Sequence, residues 1–203
     1  MLNFAVGLLI AYLIGSISFA VLVSKFAGLA DPRTYGSKNP GATNVLRSGN
    51  KKAAIITLLG DALKGTLAVA LAFYFQDQLG YSRTDIAWIG LAAFIGHLYP
   101  IFFKFEGGKG VATALGVLLG LNWVLGLATA ITWIVIAYFF RYSSLAALIA
   151  SLFAVFYNVL LFGINGQAAA IAIMAALLIY RHKQNIANLI AGKESKIGSK
   201  EKS

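Results

Sequence analysis

The sequence contains no cysteine, two histidines and seven acidic residues among 203. The missing cysteines exclude disulfides and thiolate chemistry and leave the compartment open. So few imidazoles and carboxylates do not make up a dedicated metal cage, and no metal is expected. Charge of either sign is scarce, at 12% of residues where a soluble domain has about 25%. Apolar residues fill the gap, at 59% of the chain with a mean hydropathy of +0.78. A chain so composed lacks the polar surface to face water on all sides, which makes it an integral membrane protein. No composition or pattern points to nucleic acid.

The expected fold is all-α. Crossing the hydrocarbon core takes about 20 apolar residues in a helix, and residues 4–23, 86–103, 123–140 and 145–162 provide such runs. Residues 53–75 also do, although they contain Asp61 and Lys64. Two further runs, 111–121 and 168–180, are short. The opening MLNFAVGLLIAYLIG has no basic residue before its apolar run, so it reads as a retained span and not a cleavable signal. Counting all seven spans puts the N-terminus outside and the C-terminus in the cytoplasm. Every Lys and Arg then falls inside except Arg83 and the intramembrane Lys64, as the positive-inside rule requires. Dropping both short runs leaves five spans and sends Arg141 outside, so seven is the adopted count. Residues 1–192 read as one transmembrane domain, and the Lys-rich tail 193–203 as disordered.

Seven spans bring three polar segments to the cytoplasmic face. The first is YGSKNPGATNVLRSGNKK (35–52), with Ser37, Asn39, Thr43 and Asn44 as neutral donors and Arg47 among its cations. No acid lies between Asp31 and Asp61. Such a loop suits an anionic ligand, because an Arg fork and hydroxyl or amide donors can share several oxygens. A plain positive-inside loop explains its Lys and Arg but not its density of Gly, Asn, Ser and Thr. The second segment, GHLYPIFFKFEGGKGVAT (97–113), offers His97, Lys104, Lys109 and the glycines Gly107, Gly108 and Gly110 ahead of a helix. Backbone N–H groups at such a turn form an anion nest. Alone, GGKG is no more than a turn. The third, RHKQN (181–185), holds His182, a candidate proton acceptor or phosphate contact, between two cations that read as ordinary anchors. Asp61 and Lys64, three apart, share a helix face with Thr57 inside the second span. They serve either as a helix-holding ion pair or as support for a site.

At these residues the sequence resembles the bacterial acyl-phosphate-dependent glycerol-3-phosphate acyltransferases, over nearly its whole length. GSKNPGATNVLR and GHLYPIFFKFEGGKGVAT resemble the first two motifs of that family, DALKG (61–65) its second span, and RHKQNI its third motif. Gln184 departs from the pattern, since the family often has Glu there. The resemblance implies transfer of a fatty acyl chain from acyl phosphate to the 1-hydroxyl of sn-glycerol 3-phosphate. The products would be lysophosphatidic acid and inorganic phosphate, the first step of bacterial phospholipid synthesis. It implies catalytic roles for Ser37, Arg47, His182 and Asn185, and glycerol 3-phosphate binding by Gly107, Gly108 and Gly110. The His–Asp relay of the other common glycerolipid acyltransferases is absent, with Phe102 and Ala187 five positions after the two histidines. The base stays open between His182, His97 and a substrate phosphate. Oligomeric state stays open too, and a transporter of a small organic anion is the alternative reading.

Overall fold

The structure is a computed structural model describing residues 1–198, with helices and no strand among them. In chain order the helices are α1 (Leu2–Gly15), α2 (Phe19–Phe26), α3 (Ala42–Arg47), α4 (Lys51–Tyr74), α5 (Gln76–Leu79) and α6 (Arg83–Leu98). They continue with α7 (Val111–Leu121), α8 (Trp123–Phe140), α9 (Ser143–Phe162), α10 (Gly166–Arg181) and α11 (Lys183–Ile190). Five helical stretches are long and apolar enough to cross a bilayer, at Leu2–Phe26, Lys51–Tyr74, Arg83–Phe103, Trp123–Phe140 and Ser143–Phe162. Two apolar helices, α7 and α10, are shorter, matching the two short runs expected from sequence.

The first span is not the unbroken helix that its hydropathy suggests. It parts at Ser16–Ser18, between α1 and α2. Ser16 folds its hydroxyl back onto the Tyr12 carbonyl at 2.8 Å. The break frees the Ile17 carbonyl, and Lys64 Nζ of α4 donates to it at 2.6 Å. Irregular backbone at membrane depth persists where the protein itself supplies the missing partners, and here a buried ammonium does so.

Small residues set the helix packing. Where α4 crosses α7, a Cβ on Gly116 would collide with the Ala62 carbonyl, and one on Gly65 would lie 2.5 Å from the Thr113 carbonyl. Where α1 crosses α6, Gly15 and Gly96 lie against the backbones of Ala93 and Tyr12. Between apolar helices in lipid, such close approach supplies the dispersion contact that holds the bundle. Thr66 adds an interhelical bond, its hydroxyl donating to the Gly116 carbonyl at 2.9 Å. The core centres on Val69, Ile86, Phe94, Leu98, Val117 and Leu125, all fully buried. α7 packs on α4 on one side and on α8 on the other, while α10 packs on α6 and α9. That leaves α7 and α10 as the walls of a cleft opening at one end of the bundle.

Candidate active site

The three polar segments meet at that end, around a cavity of about 750 Å³. Ser37, Asn39, Thr43, Asn44 and Arg47 line it from the first segment. His97, Lys109 and Gly110 do so from the second, and His182 and Asn185 from the third. Lys104, Gly107 and Gly108 do not reach its lining. The cavity continues away from this polar mouth into an arm lined by α4, α7, α8, α9 and α10 that is mostly apolar.

Asn44 organises the first segment. It is buried, with its Nδ2 donating to the carbonyls of Pro32 at 2.6 Å and Tyr35 at 3.2 Å. Its Oδ1 accepts the Ser37 backbone N–H at 3.0 Å. Both ends of the amide therefore serve the loop, and this fixes Ser37 at the cavity edge. Arg33 clamps the loop from behind, with a bidentate grip on Asp31 and a longer contact to Glu106 of the glycine segment at 3.4 Å. The Arg33 hydrogen bonds hold the Asp31 carboxyl below its usual range.

The glycine segment is folded onto the end of α6. Gly108 N–H donates to the His97 carbonyl at 3.1 Å, and a side chain on Gly108 would collide with His97 Nε2. Arg181 grips the same loop from the far side, donating to the Gly107 carbonyl at 2.7 Å and the Gly108 carbonyl at 3.2 Å. The chain then turns through Gly110, whose φ of +86° is the left-handed conformation glycine favours, and enters α7. The sequence offered two lysines around these glycines. The left-handed backbone at Lys104 and Phe105 leaves Lys104 exposed, and it is Lys109 that enters the cavity.

Lys109 Nζ donates to Asn185 Oδ1 at 2.5 Å. The other end of that amide, Nδ2, donates to Glu194 Oε1 at 2.7 Å, which also accepts from Ser144 at 2.6 Å. Burial pushes the Lys109 ammonium below its usual range, Arg181 and Arg47 push the same way, and Glu194 opposes them. Arg47 reaches Ser195 at 2.8 Å. His182 is 3% exposed, just beyond the end of α10. Its Nδ1 lies 2.8 Å from the Leu178 carbonyl, which selects the Nδ1–H tautomer and leaves Nε2 as the acceptor. Burial, helped by Lys109 and Arg181, lowers its pKa to about 4 against the pull of Leu178 and Glu194.

Glu194 and Arg181 escaped the sequence reading, in which Lys51 counted only among the cations of the first segment. Arg181 passed for an interfacial anchor because its neighbours are routine. Glu194 sits in the tail expected to be disordered. Residues 193–198 instead make specific bonds, including Ile197 N–H to the Arg141 carbonyl, and residues 199–203 lie outside the described chain. The available signal was that Glu194 is the first acid after Glu106.

Beneath the mouth lies a second charged group. Lys64 Nζ is 2.9 Å from Asp61 Oδ1, and His97 Nδ1 is 3.5 Å from the same oxygen, all three side chains being buried. Thr113 of α7 donates to the Asp61 carbonyl at 2.9 Å. No group of three His, Cys, Asp or Glu side chains able to hold a metal ion occurs among the described residues.

Among the described residues, the cations Arg47, Lys51 and Lys109 line the cavity together with the carboxylates Glu194 and Asp61, the latter paired with Lys64, and an apolar arm runs on from them. This arrangement accommodates an anionic head joined to a hydrocarbon tail. Comparison with known proteins agrees. The chain is 66% identical to the glycerol-3-phosphate acyltransferase of Herminiimonas arsenicoxydans, over 98% of this chain and 96% of that one. It is 67% identical to the enzyme of the same name from Ralstonia nicotianae, over 95% and 93%. The fold matches crystal structures of PlsY (YgiH), an integral membrane glycerol 3-phosphate acyltransferase. The glycerol 3-phosphate form gives a TM-score of 0.89 at 36% identity, covering 96% of both chains. The lysophosphatidic acid form gives 0.87 at 35%, covering 96% and 95%. With the family profile matching residues 5–192, the chain belongs to the glycerol-3-phosphate acyltransferase family.

Proposed function

We propose that this protein transfers a fatty acyl chain from an acyl phosphate to the 1-hydroxyl of sn-glycerol 3-phosphate. The products are 1-acylglycerol 3-phosphate and inorganic phosphate, and no cofactor takes part. The observation that carries this reading is the union, in one cavity, of a cationic polar mouth and an apolar arm. The PlsY neighbours in glycerol 3-phosphate and lysophosphatidic acid forms support it, those molecules being the acceptor and product of such a transfer.

An acyl phosphate is already activated, so the protein supplies position and charge without a nucleophile of its own. Arg47, Lys109 and the N–H groups opening α7 hold the two phosphates and offset their repulsion. Ser37, Asn39 and Thr43 orient the acceptor hydroxyl or polarise the acyl carbonyl. Asn185 fixes the Lys109 ammonium, while Asn44 and the glycines Gly107 and Gly108 shape the loops behind. The hydroxyl oxygen attacks the carbonyl carbon, the new ester C–O bond forms, and the C–O bond to phosphate breaks. The hydroxyl proton passes to His182 Nε2 or directly to an oxygen of the departing phosphate. His97 is tied to Asp61 and supports the glycine loop from below.

We further place the mouth on the cytoplasmic side of the bacterial inner membrane, with α7 and α10 as short spans in a seven-span fold. The basic residues gathered there support that orientation. The acyl tail enters sideways from lipid, past Ile55 and Leu58 of α4 and Ile134 of α8, which line the cavity yet are 49–58% exposed.

Phosphate release by the purified protein in lipid, given palmitoyl phosphate with and without glycerol 3-phosphate, tests this. Release that requires both substrates, yields lysophosphatidic acid and collapses in Arg47→Ala and Ser37→Ala is expected. Folded protein that releases nothing, yet moves a small organic anion into vesicles, would replace the reading with a transporter.

A further inference from the structure

We propose that Ala154 of α9, backed one turn below by the buried Asn158 and its amide partner Gln167, is the floor of the acyl groove and sets the length of chain that the groove seats. This rests on the acyl-transfer reading above and adds what measures the tail.

Both walls of the arm give the same depth. On α9, Ala147, Ala150 and Ala154 line the cavity at helical spacing, all buried. On α10, Leu178, Ala175 and Ile171 do the same, the lowest of them 1% exposed. Ser144, hydrogen-bonded to Glu194, marks the mouth on α9, and His182 marks it on α10. From these to Ala154 and Ile171 is close to three turns on each helix, or roughly 15 Å. A hydrocarbon chain with bonds of about 1.5 Å advances roughly 1.3 Å per carbon, so the groove seats about 12 carbons. Alanine at three successive positions leaves room for that chain. The hydroxyls along the way are turned inward, Thr129 donating to the Leu125 carbonyl and Ser151 to the Leu148 carbonyl, each at 2.8 Å.

Below the floor the chemistry changes. One turn past Ala154 stands Asn158, fully buried, and one turn before Ile171 stands Gln167. Gln167 Nε2 donates to Asn158 Oδ1 at 2.6 Å. Between α8 and α9 the hydroxyls of Thr132 and Tyr157 pair at 2.9 Å. Neither pair lines the cavity. A methylene forced past Ala154 would press on the fully buried Asn158 and its bond to Gln167, which an apolar chain cannot replace. The tail comes from lipid and not from water, so each carbon seated above the floor gains packing contact with the groove, and each one beyond it gains none. Longer chains must leave through the side opening between α4 and α8.

The test is kcat/KM for saturated acyl phosphates of 8 to 18 carbons, with glycerol 3-phosphate saturating and one lipid throughout. For the unsubstituted protein, the gain per carbon should stop near about 12 carbons. Ala154→Leu raises the floor by about one turn, keeping the eight-carbon donor within about threefold of normal and moving the break to shorter chains. Ile171→Ala lowers it and moves the break to longer chains. The eight-carbon donor ends above the floor, so it reports folding and chemistry separately from length. Profiles in both variants that superimpose on the original, or that fall equally at every length, would overturn the floor while leaving acyl transfer intact. No turnover of any donor by the unsubstituted protein would overturn the acyl-phosphate reading, and the floor with it.

Discussion

Two charged groups sit one above the other in this bundle, and they are built on opposite plans. The inner one, Asp61, Lys64 and His97, belongs to α4 and α6 and pairs within itself, Lys64 also donating to Ile17 of the broken first span and Asp61 and His97 bordering the cavity. The outer one, Arg47, Lys51, Lys109, His182, Asn185 and Glu194, sits on loops and helix ends and faces a cavity. A group that balances its own charge can hold helices together but has little left for a ligand. A group whose cations line an open cavity has donors to offer an anion. On the proposed function the inner cluster should act first on stability and the outer one first on turnover, and substitutions should separate the two.

The largest expected effect is on the inner cluster. Asp61→Asn leaves the Lys64 ammonium buried without its counter-charge, a loss of about 3–5 kcal/mol. It should appear as lost thermal stability in detergent and a falling yield of monodisperse protein. Asp61→Leu with Lys64→Met removes both charges and should recover much of that stability. If Asp61→Asn instead folded normally and lost only turnover, the inner cluster would belong to the chemistry.

Next come Arg47 and Lys109. Alanine at either should lower kcat/KM for glycerol 3-phosphate about 10²-fold while the melting temperature stays within a few degrees, because a charge-assisted contact contributes about 1.5–3 kcal/mol. Lys104→Ala, at an exposed site outside the cavity, should change turnover less than about threefold. Equal losses at Lys104 and Lys109 would mean that the glycine segment adopts another turn when substrate is bound.

That pair also shows how much the sequence could tell. Hydropathy runs located every long span, and the positive-inside bias collected the polar segments onto one face. The density of Ser, Asn, Thr and Gly then marked the candidate site. Which lysine enters was not legible, because two residues with positive φ, Lys104 at 55° and Phe105 at 61°, decide it. Hydropathy could not see the break at Ser16–Ser18 either, since losing a backbone hydrogen bond does not make a segment less apolar. Arg181 and Glu194 each bind groups far away in sequence, and a local reading of their neighbours sees only an anchor and a tail.

Glu194→Gln should have a smaller effect. A glutamine carbonyl can still accept from Asn185 and Ser144, so the Lys109–Asn185 contact survives with one negative charge fewer nearby. A change of about two- to fivefold in KM for glycerol 3-phosphate, with kcat nearly constant, fits a residue that positions others. A loss of kcat as large as that for Lys109→Ala would put Glu194 in contact with the reacting groups.

The smallest expected effect is an absence of change. His182 already donates from Nδ1 to Leu178, and burial holds its pKa at about 4. Across pH 8 to 5.5, ¹⁵N NMR of histidine-labelled protein without substrate should therefore keep this ring neutral, as the Nδ1–H tautomer. The unfolded chain takes up this proton near pH 6.5, before the folded chain does. His182 thus contributes stability in full above about pH 6.5, and that contribution fades as the pH falls toward about 4. Inorganic phosphate or glycerol 3-phosphate brings negative charge to the mouth and should raise the His182 pKa, readying Nε2 to take the acceptor's proton. If phosphate leaves the ring's titration where it was, His182 does not face the anion, and the proton must travel through the substrate phosphate alone.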